Sequence, residues 1–434
     1  MKDNPKNLKI AVVGAGLTGL VSAYQLSSQA QVDLFESTPS FGGFLRTFRP
    51  SSWPWPLEIF YHHFFRSDRA LLALFQNLKI SSRLKFYRPK TSSFYNSRFH
   101  QLDSPLSVLR FTPLSFFSRL RLGAGIALVK LLPYFSFFDS ISAIKASNLI
   151  FGSQATKIIW QPLLKGKFAK DFSQVSFSWL WARLKSRTAV LGYPSGSFSL
   201  LTNSLLKNIK KQKANLYPSS PVEKIISQGQ KHFLKVKDKT FGPYDAVLLS
   251  TPYPKSLELL SPQIYPPLKY LGALTLILEL SRPALPDNIY WLNIHDSSAP
   301  FLVAVEQNNL FSSSNSPLSK NRHLLYLGGY YPASHPYYRL NSSQILEKFW
   351  PYLQKISPQL KRTDICQTHL FTAPYAQPLT AVNHRSQVPT PRTSHPFIYW
   401  ANMSHIFPWD RGLNYSVLQA LKTVKIIKED LKLP

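Results

Sequence analysis

Three observations predict an α/β fold. A buried-strand run leads straight into a glycine-rich turn, a second such run ends in an acid, and the rest of the chain separates into helix-period and alternating blocks. The first run is Lys9-Ile10-Ala11-Val12-Val13, apolar nearly throughout, as a strand covered on both faces must be. Gly14-Ala15-Gly16-Leu17-Thr18-Gly19 follows, and then Leu20, Ala23, Tyr24 and Leu26 fall at helical spacing. Val32-Asp33-Leu34-Phe35-Glu36 reads as the second strand, which completes a βαβ opening.

From residue 53 to about 187, apolar helix-period segments alternate with prolines and serines; 70–78, 116–132 and 140–151 read as helices. An amphipathic helix follows over 198–212, then short alternating runs at 222–226 and 232–236, and a buried-strand texture returns at 246–251. Four strand-like runs, 274–280, 289–294, 301–305 and 323–328, imply a mostly antiparallel second sheet. The Ser/Asn-rich stretch 308–321 reads as a surface connection. A helix over 343–356 and a strand over 397–401 come next, and Asp410-Arg411-Gly412 opens a closing helix at 413–431. The expected organisation is a discontinuous Rossmann-like domain of 1–60, 190–255 and 380–434. A substrate domain of 61–189 and 256–379 takes its helices from the first insertion and its sheet from the second.

Composition narrows the function classes. With 44% hydrophobic and 14% aromatic residues, a chain of 434 residues has a sizeable core, and global disorder is excluded. A single cysteine, Cys366, rules out a disulfide framework and a Cys-based zinc or iron–sulfur site, and it fits a reducing cytoplasm. No three metal ligands of suitable type and spacing come together, and no nucleophile elbow stands out. The 51 Lys+Arg against 21 Asp+Glu give a net charge of +30, which attracts polyanions or anionic surfaces. No nucleic-acid-binding fold accompanies that charge. Much of it, including Arg183, Lys185, Arg187, Lys207, Lys210, Lys211 and Lys213, reads as solvated surface. Beside Phe116, Phe117, Arg119, Arg121 and Lys130 it reads as a patch for an anionic membrane, at the inner face of the plasma membrane. The greasy run 122–138 contains Lys130 and Pro133, so a buried or interfacial helix is expected there, not a spanning one. Glycines at turn spacing and the lack of a small-residue cleavage site argue against a signal peptide over 8–26.

The chemistry starts at the glycine turn. Gly14 allows a tight turn, Gly16 lets the backbone approach a pyrophosphate, and Gly19 lets helix and strand pack closely. The helix start offers unpaired N–H groups and a positive dipole end to the phosphates. Glu36 stands 22 residues after Gly14, near the spacing at which an acid meets the ribose hydroxyls, and its charge disfavours a 2′-phosphate. The turn alone leaves NAD and FAD both open.

The residues that follow, Gly42-Gly43-Phe44-Leu45-Arg46, resemble the extended fingerprint of the FAD-dependent amine oxidase and protoporphyrinogen oxidase superfamily. Phe44 stands where that family often has arginine, and Arg46 offers the phosphate-pairing charge instead. Further blocks resemble the same superfamily: Glu58 to Phe65 with its paired histidines, Trp160 to Phe168, Leu191 to Phe198, Pro221 to Ile225, and Pro408 to Tyr415. The histidine block is also similar to a loop near the flavin of UDP-galactopyranose mutase. The resemblance spans nearly the whole chain. It implies FAD contacts at Gly14, Ala15, Gly16, Thr18, Gly19, Glu36, Gly42, Gly43, Phe44 and Arg46, at Val222 and Thr251, and at Asp410, Arg411, Gly412 and Asn414. It also implies an oxidation in which a C–H bond of an apolar or lipid-linked substrate yields its electrons to flavin N5. Two alternatives remain beside it: a redox-neutral flavoenzyme of the mutase type, and a non-catalytic FAD-stabilised binder of lipid or porphyrin. Cys366 lacks the sequence context of a covalent flavin attachment, so noncovalent FAD is expected. If the histidine block is extended, neighbouring side chains point to opposite sides, which puts His63 on the substrate side and His62 elsewhere.

Overall fold

The computed structural model describes residues 8–50, 53–260, 265–311 and 322–434. Its centre is a parallel sheet of β1 (Lys9–Val13), β2 (Gln31–Phe35), β3 (Asn215–Tyr217), β4 (Ala246–Leu249) and β5 (Ile398–Trp400), in the order β3-β2-β1-β4-β5. Ile10 pairs with Val32 on one side and Ala246 on the other, and all three are fully buried, which is why these strands read as unbroken apolar runs. Helix α1 (Leu17–Leu26) connects β1 to β2. The third strand, β3, is only three residues long and begins with exposed Asn215, whose Nδ2 donates to Asp33 Oδ1 at 2.7 Å. Nothing in its local sequence marks it as a strand.

In the first insertion, α2 (Arg69–Asn77) packs on the parallel-sheet domain through Leu71, Leu74 and Phe75, and a helical layer is built from α3 (Phe116–Leu131), α4 (Ala143–Phe151), α5 (Gln161–Phe168) and α6 (Phe177–Ser186). Serine caps start three of them: Ser115 accepts from Ser118 N, Ser142 from Lys145 N and Ser176 from Ser178 N. The predicted helix at 140–151 begins only at Ala143, because 136–140 winds as a 3-10 turn before the Ser142 cap. Leu122, Val129, Phe151, Leu164, Phe168 and Trp179 are core residues of this layer. Its outer side is less well covered. Of thirteen large apolar side chains exposed among the described residues, ten lie between Leu106 and Leu149.

The second sheet has seven strands, in the order Ile365–Pro378, Tyr270–Leu280, His323–Pro332, Val303–Glu306, Ile289–Ile294, Lys90–Tyr95 and Arg98–Gln101. Every neighbouring pair is antiparallel except Ile289–Ile294 with Lys90–Tyr95. The four predicted runs form its middle, and the strands missed in the sequence lie outside them. Ile365–Pro378 has its register shifted beside Pro374, a residue that an edge strand tolerates at a bulge. Lys90–Tyr95 hides its signal by burying two serines, Ser92 and Ser93; its turn to Arg98–Gln101 is made by Asn96 and Ser97 at positive φ. Residues 312–321 of the predicted surface connection lie outside the described residues. The chain closes with α7 (Leu413–Asp430), which returns to α1: Thr18 Oγ1 donates to Ser416 O at 3.4 Å. Among the described residues no helix is long and apolar enough to cross a membrane.

Candidate active site

The glycine turn sits at the carboxyl end of β1, where open α/β sheets bind ligands. Gly14 has φ +97° and donates its N–H to Phe35 O at 2.8 Å. Gly16 starts α1 with no side-chain cap, and a Cβ built on it would meet nothing within 4 Å, so the face above the turn is open. A Cβ on Gly19 would fall 2.0 Å from Gly14 O, so only glycine lets the helix lie against the turn. Glu36 Oε2 accepts the Ala15 N–H at 2.9 Å; Oε1 accepts from Thr38 N and Oγ1, both at 2.9 Å. Each carboxylate oxygen carries two lone pairs, so acceptor capacity remains for a ribose.

The predicted second segment arrives at the same place. Gly42 N donates to Ala15 O at 2.8 Å, and Gly43, at φ +56°, approaches Gly16 directly. Thr251 follows β4, and its amide nitrogen would lie 3.1 Å from a Cβ on Gly14. Val222 packs with the core of Val13, Phe35 and Leu249 beneath this end of the sheet. These residues fit a dinucleotide: uncapped helix amides, an open surface over Gly16 and an acid beside the turn.

Other members of the predicted set are placed differently. Phe44 turns its ring to Phe60 (5.4 Å between centroids) and helps line a cavity, and Arg46 Nε donates to Gly43 O at 3.2 Å. Gly412 begins α7 without a side-chain cap, so that helix start also presents free amides. Asn414 is occupied structurally, its Oδ1 accepting from Ala70 N at 2.9 Å and Leu71 N at 3.2 Å at the start of α2.

Next to α7 lies a narrow cavity of about 40 Å³ whose wall includes Phe44, Tyr61, His62, Thr275, Tyr330 and Arg411. A larger cavity of about 370 Å³, between α5 and the antiparallel sheet, shares Gly329 and Tyr330 with it and also exposes Lys165, Lys170 and Asp296. His62, and not His63, stands in the inner wall. The two rings go to different surroundings, as expected for the pair, but with the sides exchanged; the backbone here is irregular, because the strand begins only at Phe64. His62 Nδ1 lies 2.7 Å from Phe60 O and so donates, which leaves Nε2 as the free lone pair; burial lowers its pKa to about 4, so it is neutral. His63 sits among Phe65, Tyr290 and Trp291 with Nδ1 buried and unpartnered; burial, with Arg187 nearby, lowers its pKa to about 3.

Asp410 organises a group of charges that the sequence did not reveal. It accepts from Lys167 Nζ at 2.7 Å, Trp179 Nε1 at 3.0 Å and Arg183 Nη1 at 3.2 Å. Burial works to raise its pKa, but Lys167 and Arg183 hold it well below the usual carboxylate range. The Lys167 ammonium is pulled well down by burial, with Asp410 opposing. Arg411 donates to Gln377 Oε1 at 2.8 Å and to the Tyr330 hydroxyl. Arg183 belongs to the residues read as solvated surface, yet its side chain is only 13% exposed. Lys167 lies in a block that the resemblance picked out; for Arg183 and Arg187 the sequence held no signal beyond charge.

The family pattern of the flavin containing amine oxidoreductases matches residues 17–420. The coproporphyrinogen III oxidase of Staphylococcus aureus is 22% identical over 285 residues, 56% of this chain and 60% of that protein. The chain thus spans about three fifths of the length of this curated relative. Among solved structures, an Exiguobacterium protein named as a candidate protoporphyrinogen oxidase superposes with a TM-score of 0.76 at 17% identity, covering 98% of this chain and 99% of that one. A reduced UDP-galactopyranose mutase gives 0.74 at 15% identity (98% and 96% covered), and the cyclohexylamine oxidase of Brevibacterium oxydans gives 0.69 at 14% (98% and 100%). These likenesses share the fold of two sheets and a helical layer described above. With the family pattern matched over most of its length and a dinucleotide cradle at the end of β1, the chain belongs to the flavin containing amine oxidoreductase family.

Proposed function

We propose that this enzyme binds FAD noncovalently and oxidises a C–H bond, next to carbon or nitrogen, of a largely apolar substrate. The observation that carries this reading is the convergence of the Gly14–Gly19 turn, Glu36 and Gly42–Gly43 at the end of β1, with an aromatic cavity beside the start of α7. The amides at the start of α1 would hold the pyrophosphate, Glu36 the ribose, and Arg411 with the first turn of α7 the isoalloxazine end. Cys366 is exposed at the start of an edge strand and is absent from the lining of both cavities, which supports noncovalent binding. Bound FAD supplies the two-electron acceptor at its N5 position. The chain's own part is to exclude water with Phe44, Phe60 and Tyr61 and to offer the neutral His62 Nε2 as a proton acceptor at the inner cavity. His62, in place of His63, takes the role of the site histidine in this reading.

The same reading brings the substrate from an anionic bilayer. Between residues 104 and 170 the chain has nine basic residues and one acid, Asp139, which is buried and paired with Arg385 at 2.8 Å. The exposed apolar side chains of α3 and its neighbours lie in this same basic stretch. An apolar surface framed by positive charge suits the boundary of an anionic membrane.

Spectroscopy of the purified protein tests the reading. It should be yellow, with about one FAD per chain that is released on denaturation, and apolar substrates should bleach the flavin without air. A colourless protein that takes up no FAD overturns it. Product formed with no net flavin reduction and no electron acceptor would instead indicate redox-neutral chemistry of the mutase type.

A further inference from the structure

Four basic side chains, Lys167, Arg183, Arg187 and Arg411, gather around one carboxylate, Asp410, with Lys167 Nζ at 2.7 Å and Arg183 Nη1 at 3.2 Å from it. Lys167 and Arg183 share that carboxylate, with side chains 6% and 13% exposed. Arg411 finds only neutral partners, Gln377 and Tyr330. The guanidinium of Arg187 has no ion-pair or hydrogen-bond partner among the described residues. Its charged neighbours are Arg183 and, beyond ion-pair distance, Asp410; burial and the repulsion of Arg183 outweigh the attraction of Asp410 and draw its pKa down to about 9. The group therefore sets four basic side chains against one acid, which pairs directly with only two of them, Lys167 and Arg183. Such an excess is costly unless a negative partner joins it.

We propose that Arg187, Arg183 and Lys167, beside Arg411, form an oxyanion-binding subsite, which holds a carboxylate or phosphate group carried by the substrate. Calling the ligand a substrate rests on the oxidoreductase reading; the preference for anions does not. Guanidinium forks pair with either oxyanion through two parallel N–H···O bonds, and Arg187, whose guanidinium is not engaged by any described side chain, has its full donor set free for one. The FAD pyrophosphate does not meet this need, because its cradle is the Gly14–Gly19 turn, whereas these cations come from α5, α6, the residue after α6, and the approach to α7. A substrate ammonium would add to the repulsion. Lys165 and Lys170 line the larger cavity together with Tyr330, so the approach is basic too. The substrate thus acquires a second feature: an apolar body with an anionic group.

Calorimetric titration of the FAD-loaded full chain at pH 7 with hexanoate, hexyl phosphate, hexylamine and hexanol tests this, since the four share one tail and differ in the head. At least one of the two anions should bind ten-fold or more tightly than hexanol, with hexylamine the weakest; the tighter anion tells carboxylate from phosphate. Arg187→Met should lower that anion affinity at least ten-fold with FAD content unchanged, and Arg187→Lys should restore part of it. Equal affinity for anions and hexanol, preference for hexylamine, or unaltered anion binding by Arg187→Met overturns the subsite. The four-ligand comparison on the parent decides the matter even if the variant fails to fold. A chain that takes up no FAD yet prefers anions removes the oxidoreductase reading alone; one that binds FAD without any preference of head group removes the subsite alone.

Discussion

A Cβ on Gly43 would stand 2.9 Å from the Cα of Gly16, so the loop after β2 lies directly on the turn that opens α1. Gly43 also has φ +56°, a conformation that costs an L-residue about 1–2 kcal/mol. Gly43→Ala therefore meets both strain and contact, and relief requires the loop to lift from the phosphate-binding turn. FAD affinity should fall at least ten-fold with far-ultraviolet circular dichroism unchanged. The FAD-to-protein ratio after ultrafiltration is the measurement, and a ratio equal to the parent's would mean that the loop does not shape the cofactor site.

Glu36→Gln tests the acid at the end of β2. The carboxylate accepts from Ala15 N on one oxygen and Thr38 on the other, so an amide must turn its NH₂ toward a donor on one side. A hydrogen bond from a ribose hydroxyl to a charged acceptor contributes about 1.5–3 kcal/mol. FAD binding by titration calorimetry should therefore weaken roughly 10- to 100-fold for the lost charge. Equal affinity in variant and parent would remove Glu36 from the ribose.

The cofactor cradle was legible because local backbone rules dictate it. Positive φ at Gly14 and Gly43 and the contact of Gly19 with Gly14 O each demand glycine at a fixed spacing, so the sequence must display them. The charged cluster was not legible, because its members meet across the chain: Lys167 and Asp410 are 243 residues apart, Arg183 and Asp410 227. Arginine and lysine are usually solvated, so read singly they pointed to the surface. The histidine pair was assigned by strand alternation, but its backbone is irregular and the hydrogen bond from His62 to Phe60 O sets the orientation. In the second sheet, the central strands betrayed themselves by apolar runs. Ile365–Pro378, on the edge and bearing Pro374, did not.

Glu58 gives a pH signature to the fold beside the site. Burial pushes its carboxyl up to about 7, against hydrogen bonds from Phe198 N at 2.6 Å and the Tyr193 hydroxyl at 2.8 Å. Between about pH 4.5 and 7 the folded chain keeps a proton on Glu58 that the unfolded chain gives up, so this group's stability is lost as pH rises through that window. Five buried histidines act in the opposite sense. His62, His295, His384 and His405 are lowered to about 4 and His63 to about 3, so acid below their ordinary value of 6.5 destabilises the fold. Glutamine in place of Glu58 can still accept from Phe198 and donate to Tyr193. Glu58→Gln should therefore gain about 3 kcal/mol over the parent between pH 4.5 and 7, and acidification should cost the variant more than the parent. Urea midpoints across this range measure it; parallel pH profiles would mean that Glu58 stays ionised.

The membrane surface makes a prediction that separates charge from apolar contact. Phe117 and Leu131 are each 80% exposed and Leu149 is 74% exposed, so serine at all three should leave the helical layer folded. Burial of a large apolar side chain in a bilayer boundary stabilises binding by up to about 1.5–3 kcal/mol, and each basic residue near an anionic surface adds about 1 kcal/mol. The electrostatic part is screened over about 8 Å at physiological salt, whereas the apolar part is not. The parent should therefore sediment with vesicles of phosphatidylglycerol and phosphatidylcholine at low salt, and less at high salt. The triple variant Phe117→Ser, Leu131→Ser, Leu149→Ser should keep only a weak, fully salt-reversible attachment, because the long-range attraction of the basic stretch persists without the anchors. A parent that stays in the supernatant at low salt would mean that these side chains face water, and the substrate would then reach the Lys165 and Lys170 side of the cavity from solution. Parent and triple variant binding alike would assign the attachment to charge alone and remove α3 and its neighbours as the apolar anchor.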